Sequence, residues 1–274
     1  MIVRMTLAID SYRISAKYYD EAYAAKQDLQ DLPFYLDLAR QTGGPVLELA
    51  CGTGRILLPI ARQGIAIHGV DNSAPMLDVL QKNLQREPKD VRELVSVMQG
   101  DLRHFRSHRS YPLVIIPFRP MQHVYTVEDQ INALKTAAYH LEPDGLLAFD
   151  VFYPKHDKLF SGIGIEELEL EWTPKAEPGT IMRRYFRKEA VDKIAQAFTG
   201  TFIYRTYRDG KLIREENEPL KMSWYTYPHL RTLFLLAGLE IVEEYGSFAK
   251  TPLDNNAGQM IFLLRKGREE FRHK

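Results

Sequence analysis

A short apolar run that stops at a glycine-rich turn constrains the fold of this chain more than any other feature. The run Val46-Leu-Glu-Leu-Ala50 is typical of a buried strand, and Cys51-Gly-Thr-Gly-Arg55 follows it directly. The residues from Ile56 to Arg62 then have helical spacing, and Gly64 is suited to end that helix. A glycine turn between a strand and a helix lets a ligand approach the backbone at the helix N-terminus. The run therefore predicts a ligand site at one edge of a sheet.

The alternation of apolar runs with amphipathic segments continues as far as Asp150. Further strands are predicted at residues 65–70, 94–98, 113–116 and 146–149. Helices are predicted after the Asn72-Ser73 pair, which can cap a helix, and from Thr126 to Leu141. Strands separated by segments of helix length indicate a parallel sheet with right-handed crossovers. This part of the chain is thus predicted to form an α/β fold with a doubly wound sheet.

The pattern changes after residue 152. Segments 166–172, 180–188, 196–207 and 211–225 are rich in Thr, Tyr, Phe and Ile, and Asp209-Gly210 is a typical two-residue hairpin turn. They predict an antiparallel β insertion over residues 153–227. A helix at 229–237 and strands at 239–246 and 259–266 then resume the core, which is predicted to comprise residues 1–152 and 228–274. Its N-terminal arm, residues 1–40, is expected to hold a tyrosine-rich segment and a helix from Asp20 to Arg40.

Composition excludes several classes of protein. The chain has 274 residues, with 36 Lys and Arg against 36 Asp and Glu, so the basic excess that is typical of nucleic-acid binding is missing. Apolar runs are far shorter than the ~20 residues that span a membrane, and the N-terminus lacks the apolar region of a signal peptide. Cys51 is the single cysteine. We therefore expect a cytoplasmic monomer or homodimer that acts on a small molecule, without nucleic acid, membrane or metal as a partner.

Three acidic residues stand at or near the ends of three successive predicted strands: Glu48, Asp71 and Asp101. Each alone is equally typical of a helix cap, but together they lie on the carboxyl edge where open α/β sheets bind ligands. A dinucleotide fingerprint needs a third glycine five residues after Gly52, and Leu57 occupies that position. The other class of ligand is a sulfonium cofactor, which carries an ammonium, a carboxylate and a cationic sulfur but no phosphate. An acid before the turn suits those cationic groups.

The chain resembles the class I S-adenosylmethionine-dependent methyltransferases. The resemblance lies in Glu48-Leu-Ala-Cys-Gly-Thr-Gly-Arg55, Gly69-Val-Asp-Asn-Ser-Ala-Pro-Met-Leu77, Gly100-Asp101 and His140-Leu-Glu-Pro-Asp-Gly-Leu-Leu147, and it covers about residues 45–152. Ala50 stands where many members have glycine. The family implies a Rossmann-like, seven-stranded sheet whose last strand is antiparallel, and transfer of a methyl group by in-line displacement.

The resemblance also implies roles for individual residues. Glu48, Gly52 and Gly54 would hold the methionine part of the cofactor, Asp71 the ribose and Asp101 the adenine edge. Further cofactor contacts are expected from Tyr19, Leu49, Ala50, Arg55, Asn72, Met76, Gly100, Leu102, Pro117 and Phe118.

The segment after the fourth predicted strand, Pro117-Phe-Arg-Pro-Met-Gln-His123, lacks the Asn/Asp-Pro-Pro-Tyr type motif of enzymes that methylate nucleobase amines. It resembles the Phe-Arg-Ser-Phe-Gln-His type sequence of small-molecule methyltransferases. His123 is the predicted base, because histidine titrates near neutral pH, and the alternative is a histidine that only packs or caps the next helix.

The arm and the insertion supply the remaining candidates. Tyr12 is predicted to reach the acceptor and Tyr19 to close over the cofactor, although both would equally pack the arm onto the sheet. The insertion is expected to cover the pocket as a lid. Contacts with the acceptor are expected from Arg119, Gln122, Arg184 and Trp224; a solvated strand face is the alternative for the arginines of the insertion, and core packing for Trp224. Two other functions stay open for the chain: a non-catalytic cofactor-binding module and an NAD(P) oxidoreductase.

Overall fold

A computed structural model describes residues 12–26, 29–153 and 155–267. Seven strands form one sheet in the order β10-β11-β5-β4-β1-β2-β3, and β11 runs antiparallel to both of its neighbours whereas the other pairs are parallel. The predicted Rossmann-like sheet with an antiparallel last strand is thereby confirmed. Its strands are β1 (Val46–Leu49), β2 (Ile67–Asp71), β3 (Val95–Gln99), β4 (Tyr111–Ile116), β5 (Leu141–Phe152), β10 (Leu239–Tyr245) and β11 (Gln259–Lys266).

Helices cover both faces of this sheet, so its central strands are buried on both sides. One apolar core lies between the sheet and helices α6 and α8, and the other lies between the sheet and α2, α3 and α4. The Ser73 hydroxyl accepts a hydrogen bond from Met76 N and caps α4, as the sequence predicts. The helices are α2 (Asp31–Thr42), α3 (Leu57–Ala61), α4 (Ala74–Gln85), α5 (Lys89–Glu93), α6 (Val127–His140), α7 (His156–Phe160) and α8 (Tyr227–Ala237).

The insertion contains a separate antiparallel sheet in the order β6-β7-β8-β9. Asp209 and Gly210 join its last two strands with φ values of 49° and 74°, which is the left-handed backbone that a two-residue hairpin requires. Arg183, Arg187 and Arg205 lie on its outer face and pair with acids of that face, so the solvated strand face applies to them. The strands are β6 (Glu166–Trp172), β7 (Thr180–Asp192), β8 (Ala197–Arg208) and β9 (Lys211–Ser223).

The predicted single helix from Asp20 to Arg40 is wrong. A first helix, α1 (Ser15–Ala24), takes up the tyrosine-rich segment, and α2 starts anew at Asp31. The reason is tertiary: Ala22 of α1 packs in a cluster with Trp172, Met182 and Tyr204 of the insertion, whereas α2 packs on the central sheet. The predicted arm residues 1–11 lie outside the described residues. No helix of the described ranges is long and apolar enough to cross a membrane.

Candidate functional site

The loop after β1 has the backbone that its glycines predict. Ala50, Gly52 and Gly54 all adopt positive φ, at 61°, 53° and 85°. A Cβ atom at Gly54 would collide with the Leu80 side chain, whereas one at Gly52 would meet nothing within 4 Å. Gly54 is thus required by packing, and Gly52 leaves open the space in which a ligand approaches the backbone.

The helix that follows packs against β2 in an unusual way. Leu57 is fully buried, and a Cβ atom on Gly69 of β2 would lie 2.5 Å from its Cδ1. The glycine that permits close packing of helix and strand therefore sits in the strand instead of the helix. This explains how Leu57 occupies the position where a dinucleotide site has its third glycine.

Asp71 ends β2 with its carboxylate beside the loop. Its Oδ2 accepts from Gly52 N at 2.7 Å and its Oδ1 from Ser73 N at 2.8 Å. Burial raises the pKa of this carboxyl, and the backbone donors partly offset that rise. The carboxylate is held in one orientation at the carboxyl edge of the sheet, which is where an acid that accepts from ribose hydroxyls is placed.

Glu48 lies inside β1 and is 2% exposed. Its Oε2 has no hydrogen-bond partner among the described residues. Burial raises the pKa of the carboxyl far above its ordinary value, and Arg55 counteracts this only in part. A buried carboxylate oxygen without a partner fits a cationic ligand group such as an ammonium, because burial without compensation is costly.

Asp101, the third acid, follows β3 and already has a partner. Arg103 donates to it from Nε at 2.9 Å, and also contacts Asp129 at 3.0 Å. Burial raises the pKa of Asp101, but the hydrogen bonds from Arg103 outweigh that effect and the pKa is lowered overall. The structure thus places all three acids on one edge of the sheet, with Glu48 and Asp71 buried and Asp101 half-exposed.

The wall opposite the loop comes from the segment after β4. Phe118 and Arg119 both have positive φ, at 67° and 71°, and the Phe118 N–H donates to Asp150 at 2.8 Å. Two neighbouring non-glycine residues in this conformation are strained, which is a feature of functional sites. The Tyr35 hydroxyl donates to the same carboxylate at 2.8 Å, and burial raises the pKa of Asp150 to about 6.

Arg55 belongs to this wall and not to an open anion site. Its guanidinium makes two hydrogen bonds with buried Asp31, at 3.0 Å for one of them, and lies 4.5 Å from the centre of the Phe118 ring. Between the loop and the wall lies a small cavity of about 30 Å³ that is partly open to solvent. Tyr19, Glu48, Ala50, Cys51, Gly52, Thr53, Arg55, Ile56, Pro117 and Phe118 line it.

Tyr12 and His123 meet beyond this cavity. The Tyr12 hydroxyl lies 2.6 Å from His123 Nε2, and the rings are 5.5 Å apart at 73°. The main chain of Lys221 in β9 also interacts with this ring. The tautomer of the ring sets whether the Tyr12 hydroxyl donates to Nε2 or accepts from it. Burial lowers the pKa of His123 to about 4, which keeps the ring neutral at neutral pH.

Helix α1 covers the cavity with aromatic side chains. The Tyr19 ring lies 4.5 Å from Tyr23 and 6.4 Å from Phe118, and the Tyr23 ring lies 4.9 Å from Phe118. Tyr19 thus lines the cavity, and its contact with a cofactor stays a prediction. Burial raises the pKa of the Tyr19 hydroxyl, so this group remains protonated.

Three of the residues predicted to contact the acceptor make contacts with other parts of the protein around the site. Gln122 is fully buried, donates to Ser223 O at 3.0 Å and accepts from Phe152 N at 3.0 Å. Arg184 lies on the inner face of the insertion between Glu169 and Tyr23. Trp224 packs with Leu159 and Phe198. Their contact with an acceptor stays a prediction.

The remaining predicted residues lie around the loop. Leu49, Pro117 and Met76 are buried, Leu102 packs at the edge of a core, and Asn72 is exposed. Gly100 donates from its N–H to Asp71 O at 2.9 Å, and a Cβ there would crowd Val70 and Phe105. No cluster of His, Cys, Asp or Glu suited to a metal ion occurs in the part of the chain that the structure describes.

Sequence reasoning missed four acids or hydroxyls that shape the site: Asp20, Asp31, Asp150 and Tyr35. One of them had a signal. Asp150 directly follows the fifth predicted strand, so it is a fourth acid at a strand end on the same edge. Asp20 ends the tyrosine-rich segment from which Tyr12 and Tyr19 were chosen, but no role was assigned to it. Asp31 and Tyr35 carry no local pattern, because their partners lie far along the chain.

Comparisons with known proteins agree with this geometry. Residues 46–145 match a family model described as a methyltransferase domain. The cypemycin N-terminal methyltransferase of a Streptomyces species is 25% identical over 224 residues, which are 82% of this chain and 84% of that protein.

Two solved structures share the fold over nearly the whole chain. The CcbJ methyltransferase of Streptomyces caelestis has a TM-score of 0.77 at 22% identity, over 94% of this chain and 99% of the other. CalS10 of Micromonospora echinaspora, an amino pentose methyltransferase with bound S-adenosylmethionine, has a TM-score of 0.68 at 18% identity, over 90% and 96% of the two chains. These two structures show the shared fold; the family model over residues 46–145 and the cypemycin relative, together with the acids at the strand ends, identify the chain as a class I S-adenosylmethionine-dependent methyltransferase.

Proposed function

We propose that this enzyme methylates an amine nitrogen of a small molecule, with Tyr12 and His123 at the acceptor. The observation that carries the proposal is the 2.6 Å hydrogen bond between the Tyr12 hydroxyl and His123 Nε2, next to the cavity that Glu48 and Gly52 line. The cofactor supplies a methyl group on a cationic sulfur. What the chain must provide is an acceptor atom that is already nucleophilic and correctly placed.

The cofactor fits the residues of the cavity. The unpartnered Glu48 Oε2 would hold its ammonium, the Asp71 carboxylate its ribose hydroxyls and the Gly52 backbone its methionine part. Tyr19 and Phe118 would enclose it and exclude water. Cofactor roles for these residues remain proposals that the binding experiments below test.

The lowered pKa of His123 favours nitrogen over oxygen as the atom that accepts the methyl group. A base whose pKa is about 4 is too weak to deprotonate an alcohol, because proton transfer is efficient only when the pKa values are close. A neutral amine needs no base to attack. The Tyr12 hydroxyl oxygen, held beside His123, would instead accept a hydrogen bond from the amine N–H and orient the lone pair of the amine, while burial of the site disfavours the ammonium form.

The names of two relatives agree with an amine acceptor: one is a cypemycin N-terminal methyltransferase and the other an amino pentose methyltransferase. Other relatives are named ubiquinone biosynthesis O-methyltransferases, so the names alone do not decide between nitrogen and oxygen. Neither an NAD(P) oxidoreductase nor a non-catalytic module gains support from a specific observation, since Leu57 closes the position of the third fingerprint glycine and Tyr12 and His123 stand at the acceptor side.

The test is an acceptor panel of primary and secondary amines, amino sugars and short peptides beside matched alcohols, read by release of S-adenosylhomocysteine. We expect turnover with an amine and none with its alcohol analogue. His123→Asn should lower kcat at least tenfold while the Kd for S-adenosylhomocysteine is unchanged, and His108→Asn, at an exposed histidine, is the control.

The pH profile sharpens the test. The rate should rise with pH as the amine of the substrate loses its proton. Titration of His123 should not lower the rate at any pH above about 5, because the pKa of His123 is about 4. Turnover of alcohols alone, or a limb near pH 6.5 that disappears in His123→Asn, would contradict the proposal.

A further inference from the structure

Helix α1 presents two different faces to two different parts of the molecule. Tyr12 in the preceding turn and Ala16, Tyr19, Asp20 and Tyr23 in α1 recur at intervals of three or four residues, so they share one face of the helix. This face lies toward the loop after β1, residues 50–55, which is called the cofactor loop below, and toward the 118–123 segment. The opposite side of α1 packs on the insertion through Ile14, Tyr18 and Ala22.

The insertion side of α1 is fixed by buried and charged groups. The Glu218 carboxylate accepts from the N–H groups of Ile14 at 2.7 Å and Ser15 at 3.1 Å. A carboxylate at this end satisfies free donors of the first turn and has a favourable interaction with the helix dipole. Glu216 adds an ion pair with Lys17 at 2.9 Å. Without a further attachment, α1 would follow the insertion and not the cofactor loop.

Asp20 supplies that attachment. Its Oδ1 accepts from Thr53 Oγ1 at 2.6 Å and its Oδ2 accepts from Asn83 Nδ2 at 2.7 Å. Thr53 stands between the two glycines of the cofactor loop, and Asn83 Nδ2 also lies 3.3 Å from Thr53 O. Among the described residues of α1, Asp20 is the one whose side chain hydrogen-bonds to the core. Both of its oxygens are used for this purpose.

We propose that Asp20 is a positioning residue for methyl transfer, which holds Thr53 and Asn83 and thereby fixes α1 so that Tyr19 encloses the cofactor and Tyr12 reaches His123. The step rests on the proposed function in one respect, the role of the Tyr12–His123 pair. Tyr19 is the direct neighbour of Asp20, and Tyr12 lies two helical turns before it on the same face. Rotation of α1 about its attachment to the insertion would therefore displace both tyrosines at once.

Asp20→Asn is the test, because a carboxamide accepts through one oxygen only and its NH₂ group opposes one of the two donors. Calorimetry with S-adenosylhomocysteine should show a Kd about tenfold higher than that of the wild type, as expected for the loss of one charge-assisted hydrogen bond. NMR titration of the His123 ring should show its pKa rising from about 4 toward the ordinary value, because Tyr12 no longer encloses it. A purely structural role of Asp20 would lower the unfolding temperature without moving this titration.

Asn83→Ala provides a second variant if Asp20→Asn folds poorly, and it should produce the same changes at a smaller size. Asp37→Asn is the matched control, since Asp37 is an exposed acid of α2 that pairs with Arg40. An unchanged Kd and an unchanged His123 titration in Asp20→Asn and Asn83→Ala would overturn the proposal. These two readouts need no acceptor, so they are independent of whether the wild type methylates amines.

Discussion

The proposed site has a cofactor side, at the cavity that Glu48 and Gly52 line, and an acceptor side, at Tyr12 and His123. These two sides of the cleft are built in different ways. On the cofactor side, Glu48, Gly52 and Asp71 come from one strand–turn–helix–strand unit, and Asp71 contacts the Gly52 backbone from 19 residues away. On the acceptor side, Tyr12 meets His123 over 111 residues, and Gln122 bonds to Ser223 over 101 residues. The acids and the glycine turn of the cofactor side are therefore placed within the core sheet, with Tyr19 of α1 as a cover, whereas the acceptor side depends throughout on the docking of α1 and the insertion.

This difference teaches that binding and catalysis can be damaged separately. A change at the strand ends should affect the cofactor without loosening the insertion. The seam between the core and the insertion is the contact of the short 3₁₀ helix Pro120–His123 with the end of β9. A change at this seam should loosen the insertion without affecting binding of the cofactor. Four predictions test this separation.

The largest effect is expected at that seam. Gln122→Ala removes a buried side chain and leaves Ser223 O and Phe152 N without their partner, which should reduce the free energy of unfolding by about 3 kcal/mol. Chemical denaturation measures it, with Gln81→Ala at an exposed glutamine of α4 as the control. S-adenosylhomocysteine should still bind to the folded protein. An equal loss of this binding would show that the two sides are not separable.

Asp71→Ala should have the next largest effect, on the cofactor side. Loss of an acceptor for two ribose hydroxyls should raise the Kd for S-adenosylhomocysteine about 100-fold, as for a charge-assisted pair of hydrogen bonds. Calorimetry measures the change, and Asp78→Ala on the exposed side of α4 is the matched control. Binding of wild-type strength would rule out Asp71 as a cofactor contact.

Glu48→Gln should raise the Kd for S-adenosylhomocysteine about tenfold and increase the stability of the free protein. The folded pKa of Glu48 lies well above its ordinary 4.5, so its protonated form is favoured by folding. The stability that the protonated Glu48 carboxyl contributes to the wild type is therefore present in full below pH 4.5, and it is lost as the pH rises through the folded pKa. A carboxamide cannot ionise, so the unfolding temperature of the variant at pH 7 should exceed that of the wild type. A lower unfolding temperature would mean that the carboxylate has a partner.

The smallest effect is expected on the outer face of the insertion. Arg205 pairs with Glu166 at 2.8 Å and Glu215 at 2.7 Å near the surface, where such pairs contribute under about 1 kcal/mol. Arg205→Ala should leave cofactor binding and turnover unchanged. Arg184→Ala, at a buried arginine of the inner face, is the informative comparison, since it should cost more stability. Equal losses from both variants would remove the distinction between the two faces.

The sequence determined the central sheet and the cofactor side of the cleft. Periodicity located the strands of this sheet to within about five residues, and β11 at 259–266 coincides with the predicted strand. In the sheet of the insertion, β6 at 166–172 coincides likewise. The three acids were found because strand ends of a parallel sheet meet at one edge. All these signals are local: each depends on residues that are close in the chain, and the fold class then brings them together.

Only the tertiary structure decided the rest. It divided the predicted helix 20–40, because α1 packs on the insertion and α2 on the core, and no periodicity reveals which surface a helix meets. It joined Tyr12 to His123 and Asp20 to Thr53. It also turned Glu48 into a buried acid whose Oε2 has no hydrogen-bond partner in the described part of the chain. Burial, and with it the pKa of a side chain, depends on everything packed around that group, and this is a property of the folded chain and not of its order of residues.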